Sequence, residues 1–309
     1  MEEIKVFSGR NSSVLSQSIS AYLGMKLSNC VYKTFTDGEL WIKYNENLRG
    51  CQVFIIQSIN SPAENLMELL IMIDTAKRAS ASNIIAVIPY LGYSRQDRKD
   101  QSRVPITARL VANLLERAGA DGIITMDLHT PQIQGFYDIN VDQIYGSSLF
   151  HSVIRELHID NLAVVSPDLG RLKIARTYSK ILSAELIIID KNHTANDKVE
   201  ILNIIGNVKD KNVVIVDDII DTGGTFANSV YALKENGAND IYGVCTHAVL
   251  SGNAISLIEN LPIKKLYVTD TINIKEISDK IEIISAANIF AEAIKRTSNQ
   301  RSITTLFDV

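Results

Sequence analysis

Apolar residues occur along the chain in short continuous runs, and longer helix-like segments separate these runs. Runs that are apolar at every position predict strands buried on both faces, as in a parallel sheet covered by helices. The predicted strands are 53–57, 84–88, 123–126, 162–165, 186–189, 213–216, 241–245 and 265–268. The predicted helices are 65–79, 106–118, 172–180, 229–236 and 286–296. The regular alternation of strands and helices indicates an α/β fold.

One strand–helix–strand pattern occurs twice. The first copy contains CQVFIIQSI, ENLMELLIMIDTAKRA and NIIAVIPY, and the second contains NVVIVDDII, TFANSVYALKENGA and DIYGVCTH. The two strands of each copy begin 31 and 28 residues apart, from 53 to 84 and from 213 to 241. The pattern indicates two related α/β halves, although any two units of this kind share it.

Composition and charge exclude several classes of protein. The 309 residues are 46% hydrophobic and 21% charged, which is typical of globular domains. The net charge of −4 argues against a nucleic-acid partner. Apolar stretches are far shorter than the ~20 residues of a membrane helix, and MEEIKVFSGR does not resemble a signal peptide. Three scattered cysteines argue against a disulfide framework and a zinc site. We therefore expect a cytoplasmic protein with no membrane partner.

The segment VVIVDDIIDTGGT, residues 213–225, predicts a phosphate site. Gly223 and Gly224 would let backbone amides turn inward and form an anion-binding nest. The positive end of the following helix would face the same point, and Thr222 and Thr225 would add hydroxyl donors. The chain contains no Gly-Lys-Ser/Thr, so this is not a Walker loop.

Two acids, Asp217 and Asp218, are expected at the end of the strand that precedes this loop. Carboxylates beside a phosphate are explained if they accept hydrogen bonds from ribose hydroxyls or face Mg²⁺. A sugar phosphate therefore accounts for the whole segment. In the structural alternative, Asp221 and Thr222 cap a helix that begins at Phe226, and the glycines form a turn. The spacing and the context together favour the functional interpretation.

This loop resembles the phosphoribosyl pyrophosphate loop shared by type I phosphoribosyltransferases and ribose-phosphate pyrophosphokinases. Four further segments resemble the second family: FTDGELWIKYNENLRG, PYLGYSRQDRKDQSRVPITA, MDLHTPQIQGFYD and SPDLGRLKIAR. Alone, each segment has a structural explanation; FTDGE, for example, is a plausible turn with a core Phe35. Together they occur in the family's order and cover nearly the whole chain. The chain therefore resembles the phosphate-dependent bacterial ribose-phosphate pyrophosphokinases, and a phosphoribosyltransferase is the rival enzyme.

The resemblance implies a fold of two phosphoribosyltransferase-like domains, expected at 1–147 and 148–309, with about the last 15 residues packing back on the first domain. It implies transfer of the diphosphoryl group of ATP to the C1 hydroxyl of ribose 5-phosphate, which gives phosphoribosyl pyrophosphate and AMP. It also implies Mg²⁺ as cofactor, a homohexamer, activation by inorganic phosphate and inhibition by ADP.

The resemblance also implies roles for individual residues. Ribose 5-phosphate would bind through Asp217, Asp218, Asp221, Thr222, Gly223, Gly224 and Thr225. ATP would bind through Phe35, Asp37, Gly38, Glu39, Arg95, Gln96 and Asp97. Mg²⁺ would bind at His129 and Asp168, beside a diphosphate loop at Gly170 and Arg171. Catalysis would involve Lys191 and His193. An allosteric site would involve Arg49, Arg78, Arg103 and Ser302.

Three positions near the transferred group depart from the family pattern. The family usually has arginine where this chain has His193, glycine where it has Arg171, and arginine where it has Ile174. Either Arg171 or Lys173 replaces the missing charge and the enzyme is active, or the chain is a regulatory paralogue without turnover. Activity is favoured, because a decayed site would be expected to lose its acids and Lys191 as well.

Overall fold

The computed structural model describes residues 3–193, 199–303 and 306, without the side chains of 191–193 and 199–202. These residues form two compact units. The first unit contains 3–145, 271–273, 285–303 and 306, and the second contains 146–193, 199–270 and 274–284. No helix among the described residues has the length and apolar composition that a membrane span requires.

The first unit is built on a five-stranded parallel sheet. In chain order its elements are β1 (Ile4–Ser8), α1 (Ser13–Leu23), β2 (Cys30–Thr34), β3 (Leu40–Tyr44), β4 (Gln52–Ile56), α2 (Glu64–Arg78), β5 (Asn83–Ile88), α3 (Thr107–Ala118), β6 (Gly122–Met126) and β7 (Asn140–Ile144). The sheet order is β1-β4-β5-β6-β7, while β2 and β3 form a separate antiparallel hairpin. All residues of β4 and β6 are buried, as expected of strands covered on both faces.

The second unit is built on a seven-stranded sheet. Its elements are α4 (Ser147–Glu156), β8 (Leu162–Ser166), α5 (Leu172–Ile181), β9 (Glu185–His193), β10 (Val199–Ile205), β11 (Asn212–Ile220), α6 (Gly224–Glu235), β12 (Ile241–Ala248), α7 (Ala254–Asn260), β13 (Lys265–Thr269) and β14 (Ile281–Ile284). The order is β10-β9-β8-β11-β12-β13-β14, and β9 and β10 are its antiparallel pair. The last helix, α8 (Ala287–Ser298), belongs to the first unit and contacts α1.

The strand order of the second unit determines where a ligand is expected. From β8 the chain first moves to β9 and β10 on one side, and then returns to β11 on the other side of β8. Ligands of open α/β sheets bind outside the carboxyl ends of the strands at such a reversal. The loops that follow β8 and β11 meet at this point.

His151 makes the stability of the second unit sensitive to acid. It lies on α4 with 3% of its surface exposed, and its ring packs edge-on against Tyr178 at a centroid distance of 4.5 Å. Neither ring nitrogen has a hydrogen-bond partner among the described residues. Burial, and to a smaller extent the charge of Arg155, lower the pKa of His151 to about 4. The unfolded chain therefore binds this proton more readily than the folded chain.

Replacing His151 by phenylalanine is expected to reduce the acid sensitivity of folding. Because the folded pKa is depressed, the stabilisation is complete above about pH 6.5 and is lost as the pH falls toward 4. Between pH 7 and pH 4 the wild type should lose roughly 1–3 kcal/mol more unfolding free energy than His151→Phe. Urea unfolding at a series of pH values measures this difference, and exposed His158→Gln is the matched control. Parallel pH profiles for the wild type and His151→Phe would contradict the assignment.

Candidate functional site

The two predicted ribose acids, Asp217 and Asp218, lie inside a strand rather than at its end. We expected the strand to end at Asp217 and Asp218, but β11 continues to Ile220. The reason is its partner strand: the parallel pairing with β12 continues through Ile219↔His247 and Ile220↔Ala248. The ladder therefore extends past the acids and holds their backbone rigidly in the sheet.

The turn that follows β11 is shorter than expected. Helix α6 begins at Gly224, two residues before the predicted start at Phe226. Gly223 caps the helix with a φ of 80°, a left-handed conformation that favours glycine. The first amides of α6 have no acceptor within the helix, and Thr222 and Thr225 are exposed beside them. This arrangement suits an anion at the helix N-terminus.

Asp221 connects this turn to a second segment. Its side chain accepts a hydrogen bond from the Ser251 hydroxyl, and its carbonyl accepts one from the Ser251 amide at 3.0 Å. The amides of Val249 and Leu250 donate to the Ile220 carbonyl at 3.0 and 3.1 Å. The helix-capping alternative is therefore wrong, since the cap of α6 is Gly223. The segment THAVLSGNA, 246–254, gives no local signal for this contact, because Asp221 and Ser251 are 30 residues apart.

Replacing Ser251 by alanine is expected to loosen the loop after β11. The lost hydroxyl bond should cost about 1 kcal/mol, which corresponds to a rise of roughly 3- to 10-fold in the KM for ribose 5-phosphate if this loop binds the predicted ligand. The kcat should change less than about twofold, because the chemistry lies elsewhere. Steady-state kinetics measure the two constants, and Ser256→Ala on the exposed face of α7 is the control. An unchanged KM would show that the bond does not position the loop.

Arg171 forms ion pairs with both acids of β11. Its Nη1 lies 3.0 Å from Asp218 Oδ2, and its Nε lies 3.6 Å from Asp217 Oδ1. The side chains are 13% exposed for Arg171, 11% for Asp217 and 2% for Asp218. Burial, and then the neighbouring Asp218, raise the pKa of Asp217 well above its ordinary value, while Arg171 opposes this shift. The departure from the family pattern at Arg171 therefore lies directly on the predicted ribose acids.

The loop that follows β8 carries Asp168. Its Oδ1 accepts a hydrogen bond from the Arg171 amide at 3.0 Å, and its carbonyl accepts one from the Ser166 hydroxyl at 2.7 Å. Gly170 lies in a short 3₁₀ turn, Leu169–Arg171, and α5 begins directly after it at Leu172. The Arg171 amide already has an acceptor in this turn.

In the first unit, Phe35 is at the tip of the β2–β3 hairpin and is 51% exposed. The core-Phe alternative is therefore wrong. The Phe35 amide donates to the Glu39 carbonyl at 2.8 Å, and the Glu39 amide donates to Asp37 Oδ1 at 3.1 Å. Gly38 completes the turn with a φ of 95°. The three side chains 35, 37 and 39 are all exposed on this tip.

The loops after β5 and β6 are joined by hydrogen bonds. Asp97 Oδ2 accepts a bond from the Thr130 hydroxyl at 2.6 Å, which brings Asp97 next to the loop that carries half-buried His129. Gln96 accepts from the Thr107 hydroxyl, and its carbonyl accepts from the Ala108 amide at 3.1 Å. Gln96 is therefore fixed at the start of α3.

Arg95 is exposed in the same loop as Gln96. Of the two predicted metal ligands, His129 belongs to the first unit and Asp168 to the second. Within the described ranges, no group of three or more His, Cys, Asp or Glu residues is arranged to hold a metal.

The predicted catalytic residues lie at the end of β9. The backbone of Lys191 pairs with Ile201 of β10, and that of His193 pairs with Val199. Their side chains are outside the described part of the structure.

Two of the predicted allosteric arginines lie on connected segments. The turn that carries Arg49 is tied to the end of α2, which carries Arg78, by a 3.0 Å bond from the Gly50 amide to the Ser80 carbonyl. Arg78 pairs with Asp74 at 2.7 Å. Other predicted allosteric residues are Arg103, with a φ of 65°, and exposed Ser302, whose carbonyl accepts a bond from Arg296.

Comparisons with known proteins cover almost the whole chain. A model of the N-terminal domain of ribose phosphate pyrophosphokinase matches residues 4–119, and a model of the phosphoribosyl synthetase-associated domain matches residues 167–308. A ribose-phosphate pyrophosphokinase of Chlorobaculum tepidum is 51% identical over 99% of this chain and 95% of its own length. One of Campylobacter jejuni is 47% identical over 99% of this chain and 100% of its own.

A solved structure supports the same assignment. The phosphoribosylpyrophosphate synthetase of Mycobacterium smegmatis matches with a TM-score of 0.92 and 37% identity, over 97% of this chain and 100% of that chain. The expected α/β fold of two phosphoribosyltransferase-like domains is confirmed by this match. Because domain models, full-length relatives and the fold all agree, the chain belongs to the ribose-phosphate pyrophosphokinase family.

Proposed function

We propose that this enzyme transfers the β,γ-diphosphoryl group of ATP to the C1 hydroxyl of ribose 5-phosphate, with Mg²⁺ as cofactor. The observation that carries the proposal is the meeting of the loops after β8 and β11 at the reversal of strand order. Strand β11 and the turn after it supply the two acids and the helix N-terminal amides, and the loop after β8 supplies Asp168 and Arg171. The acids suit sugar hydroxyls and the amides suit a phosphate. Together they fit a sugar phosphate better than they fit a sugar or a phosphate alone.

Ribose 5-phosphate would bind along the loop after β11. The first amides of α6 and the hydroxyls of Thr222 and Thr225 would hold the 5-phosphate. Asp217 and Asp218 would accept hydrogen bonds from the ring hydroxyls. Asp221 would act on the loop rather than on the sugar, since its side chain already bonds Ser251.

ATP would bind through residues of the first unit. The exposed ring of Phe35 suits stacking on adenine, and Asp37 and Glu39 can accept from its exocyclic amine. The guanidinium of Arg95 suits phosphate oxygens. Exposure of a large aromatic ring on a hairpin tip supports a role in binding, because burial in a core would hide it.

The donor set suits a Mg²⁺ ion that arrives with the nucleotide. Mg²⁺ usually binds one or two carboxylates, several waters and substrate phosphates, rather than a dedicated protein cage. Asp168 would hold it with one carboxylate, and His129 would be a second ligand. When bound, the ion would neutralise charge on the phosphates.

The transfer itself needs positioning and charge stabilisation more than covalent chemistry by the protein. The C1 oxygen attacks the β-phosphorus, the bond from that phosphorus to the α-phosphate oxygen breaks, and AMP leaves. The C1 hydroxyl releases its proton to solvent as the new oxygen–phosphorus bond forms. Lys191 would stabilise the transition state, and Arg171, whose backbone lies in the turn Leu169–Arg171, would contribute a further positive charge there.

Turnover with Mg-ATP, ribose 5-phosphate and inorganic phosphate, followed by phosphorus NMR, tests the proposal. Equal amounts of AMP and phosphoribosyl pyrophosphate, absent when ribose 5-phosphate is omitted, are expected. Nucleotide binding without product would support the regulatory-paralogue alternative. Release of pyrophosphate from phosphoribosyl pyrophosphate in the presence of a nucleobase would support the phosphoribosyltransferase alternative.

We also infer phosphate activation, ADP inhibition and a homohexamer from the family resemblance. The connection between the segments of Arg49 and Arg78 supports a shared anion site there. Light scattering measures the assembly, and a hexamer is the expected state.

A further inference from the structure

The guanidinium of Arg171 is paired with the two acids that are expected to bind the ribose hydroxyls. The guanidinium of Arg171 lies 3.0 Å from Asp218 and 3.6 Å from Asp217. With Arg171 only 13% exposed and Asp218 only 2% exposed, water screens this ion pair weakly. Members of the family with glycine at this position have no side chain that could make the same contact.

We propose that Arg171 is a specificity-determining residue that occupies the ribose-diol site of the ligand-free enzyme and is displaced by the substrate. The 2- and 3-hydroxyls of ribose 5-phosphate take the place of the guanidinium on Asp217 and Asp218. The inference rests on the proposed function, because it requires that the sugar hydroxyls bind these two acids.

The competition follows from the chemistry of the acids. A carboxylate oxygen that is paired with a guanidinium must give up that contact, at least in part, to accept a hydroxyl hydrogen. Without the cation the two buried acids would repel each other. Hydrogen bonds from the sugar hydroxyls would then stabilise them more than they do in the presence of Arg171. Arg171 therefore stabilises the free enzyme and weakens the binding of the sugar.

The displaced guanidinium has a defined destination. The Arg171 amide is fixed to Asp168 Oδ1 at 3.0 Å, so the side chain can move while its backbone stays in place. That backbone lies in the loop that resembles the diphosphate loop. After displacement the guanidinium is therefore beside the transferred group, where this chain has lost the family arginine at Ile174. The same residue then vacates the diol site and supplies charge to the reaction.

Calorimetric titration of the full chain with ribose 5-phosphate alone tests the competition without turnover. Arg171→Met keeps a long stem but removes the charge, and it should bind ribose 5-phosphate about 3- to 10-fold more tightly than the wild type. Arg171→Lys should fall between the two, because one ammonium does not bridge two carboxylates as a guanidinium does. The kcat of Arg171→Met should fall, since the cation is lost from the diphosphate.

A second measurement follows the wild-type side chain directly. The side-chain Nε–Hε NMR signal of Arg171, assigned by its absence from Arg171→Lys, should shift when ribose 5-phosphate is added. Equal or weaker binding by Arg171→Met, or an unmoved signal at saturation, would overturn the displacement. Failure of the wild type and both variants to bind ribose 5-phosphate would instead refute the proposed function, and this inference with it.

Discussion

Replacing Asp218 by asparagine is expected to weaken binding of ribose 5-phosphate by roughly 10- to 100-fold. The side chain is 2% exposed and lies in the rigid part of β11, so no other group can move in to replace it. Asparagine keeps the shape but loses the charge that makes the carboxylate a strong acceptor. Because the sugar is also misplaced for attack, kcat/KM should fall by about 1,000-fold.

The neighbouring acid offers an internal comparison. Asp217 lies farther from the guanidinium than Asp218, and its pKa is raised well above the ordinary value by burial and by Asp218. Asp218 is also the more deeply buried of the two and lies closer to the guanidinium, so Asp217→Asn should cost less affinity than Asp218→Asn. Calorimetry and initial rates measure both. Asp160→Asn makes the same charge change and should behave as wild type. Asp160 lies just before β8, at the amino-terminal end of that strand, whereas the loops of the site follow the carboxyl ends of β8 and β11.

Nucleotide affinity separates loss of the site from loss of folding. ATP binding is expected to be unchanged in Asp218→Asn, since the predicted ATP residues belong to the first unit. Wild-type affinity for ribose 5-phosphate in this variant would remove Asp218 from the sugar site. Equal losses for Asp217→Asn and Asp218→Asn would contradict this ranking of the two acids.

The buried parallel strands were predictable because their pattern is local. β4, β5 and β6 are apolar at almost every position, and short apolar runs of this kind are typical of strands buried on both faces. The β2–β3 hairpin was not among the predicted strands. In CVYKT no position is buried, and in LWIKY the exposed position 41 is a tryptophan, so the letters do not show an alternation of apolar and polar residues.

The ends of elements and the contacts between loops depend on partners distant in sequence. β11 continues past Asp217 because β12 extends with it, and nothing in the sequence around the acids reveals that pairing. Ser251 and Asp221 are 30 residues apart, and Arg171 and Asp218 meet only because β8 and β11 are neighbours. The sequence could name Arg171 as unusual, but only the fold shows what its charge contacts.

Replacing Lys191 by alanine is expected to lower kcat by about 100- to 1,000-fold, with little change in the affinity for either substrate. The reason is that charge accumulates on the bridging oxygens mainly in the transition state, so a cation that acts there changes kcat rather than binding. Its backbone is in β9, paired with β10, at the end of the strand. Two positions further along, His193 lacks the permanent charge of an arginine, which increases the dependence on Lys191.

Single-turnover and calorimetric measurements together test this split between kcat and binding. Lys180→Ala, at the exposed end of α5, removes the same charge from the same unit and should retain full activity. Lys191→Arg should recover part of the rate, because this variant keeps the positive charge but loses the compact ammonium. A Lys191→Ala variant with wild-type kcat would leave Arg171 as the main cation at the transferred group. A variant that lost substrate affinity instead would make Lys191 a binding residue, whose contact with the phosphates already exists in the ground state.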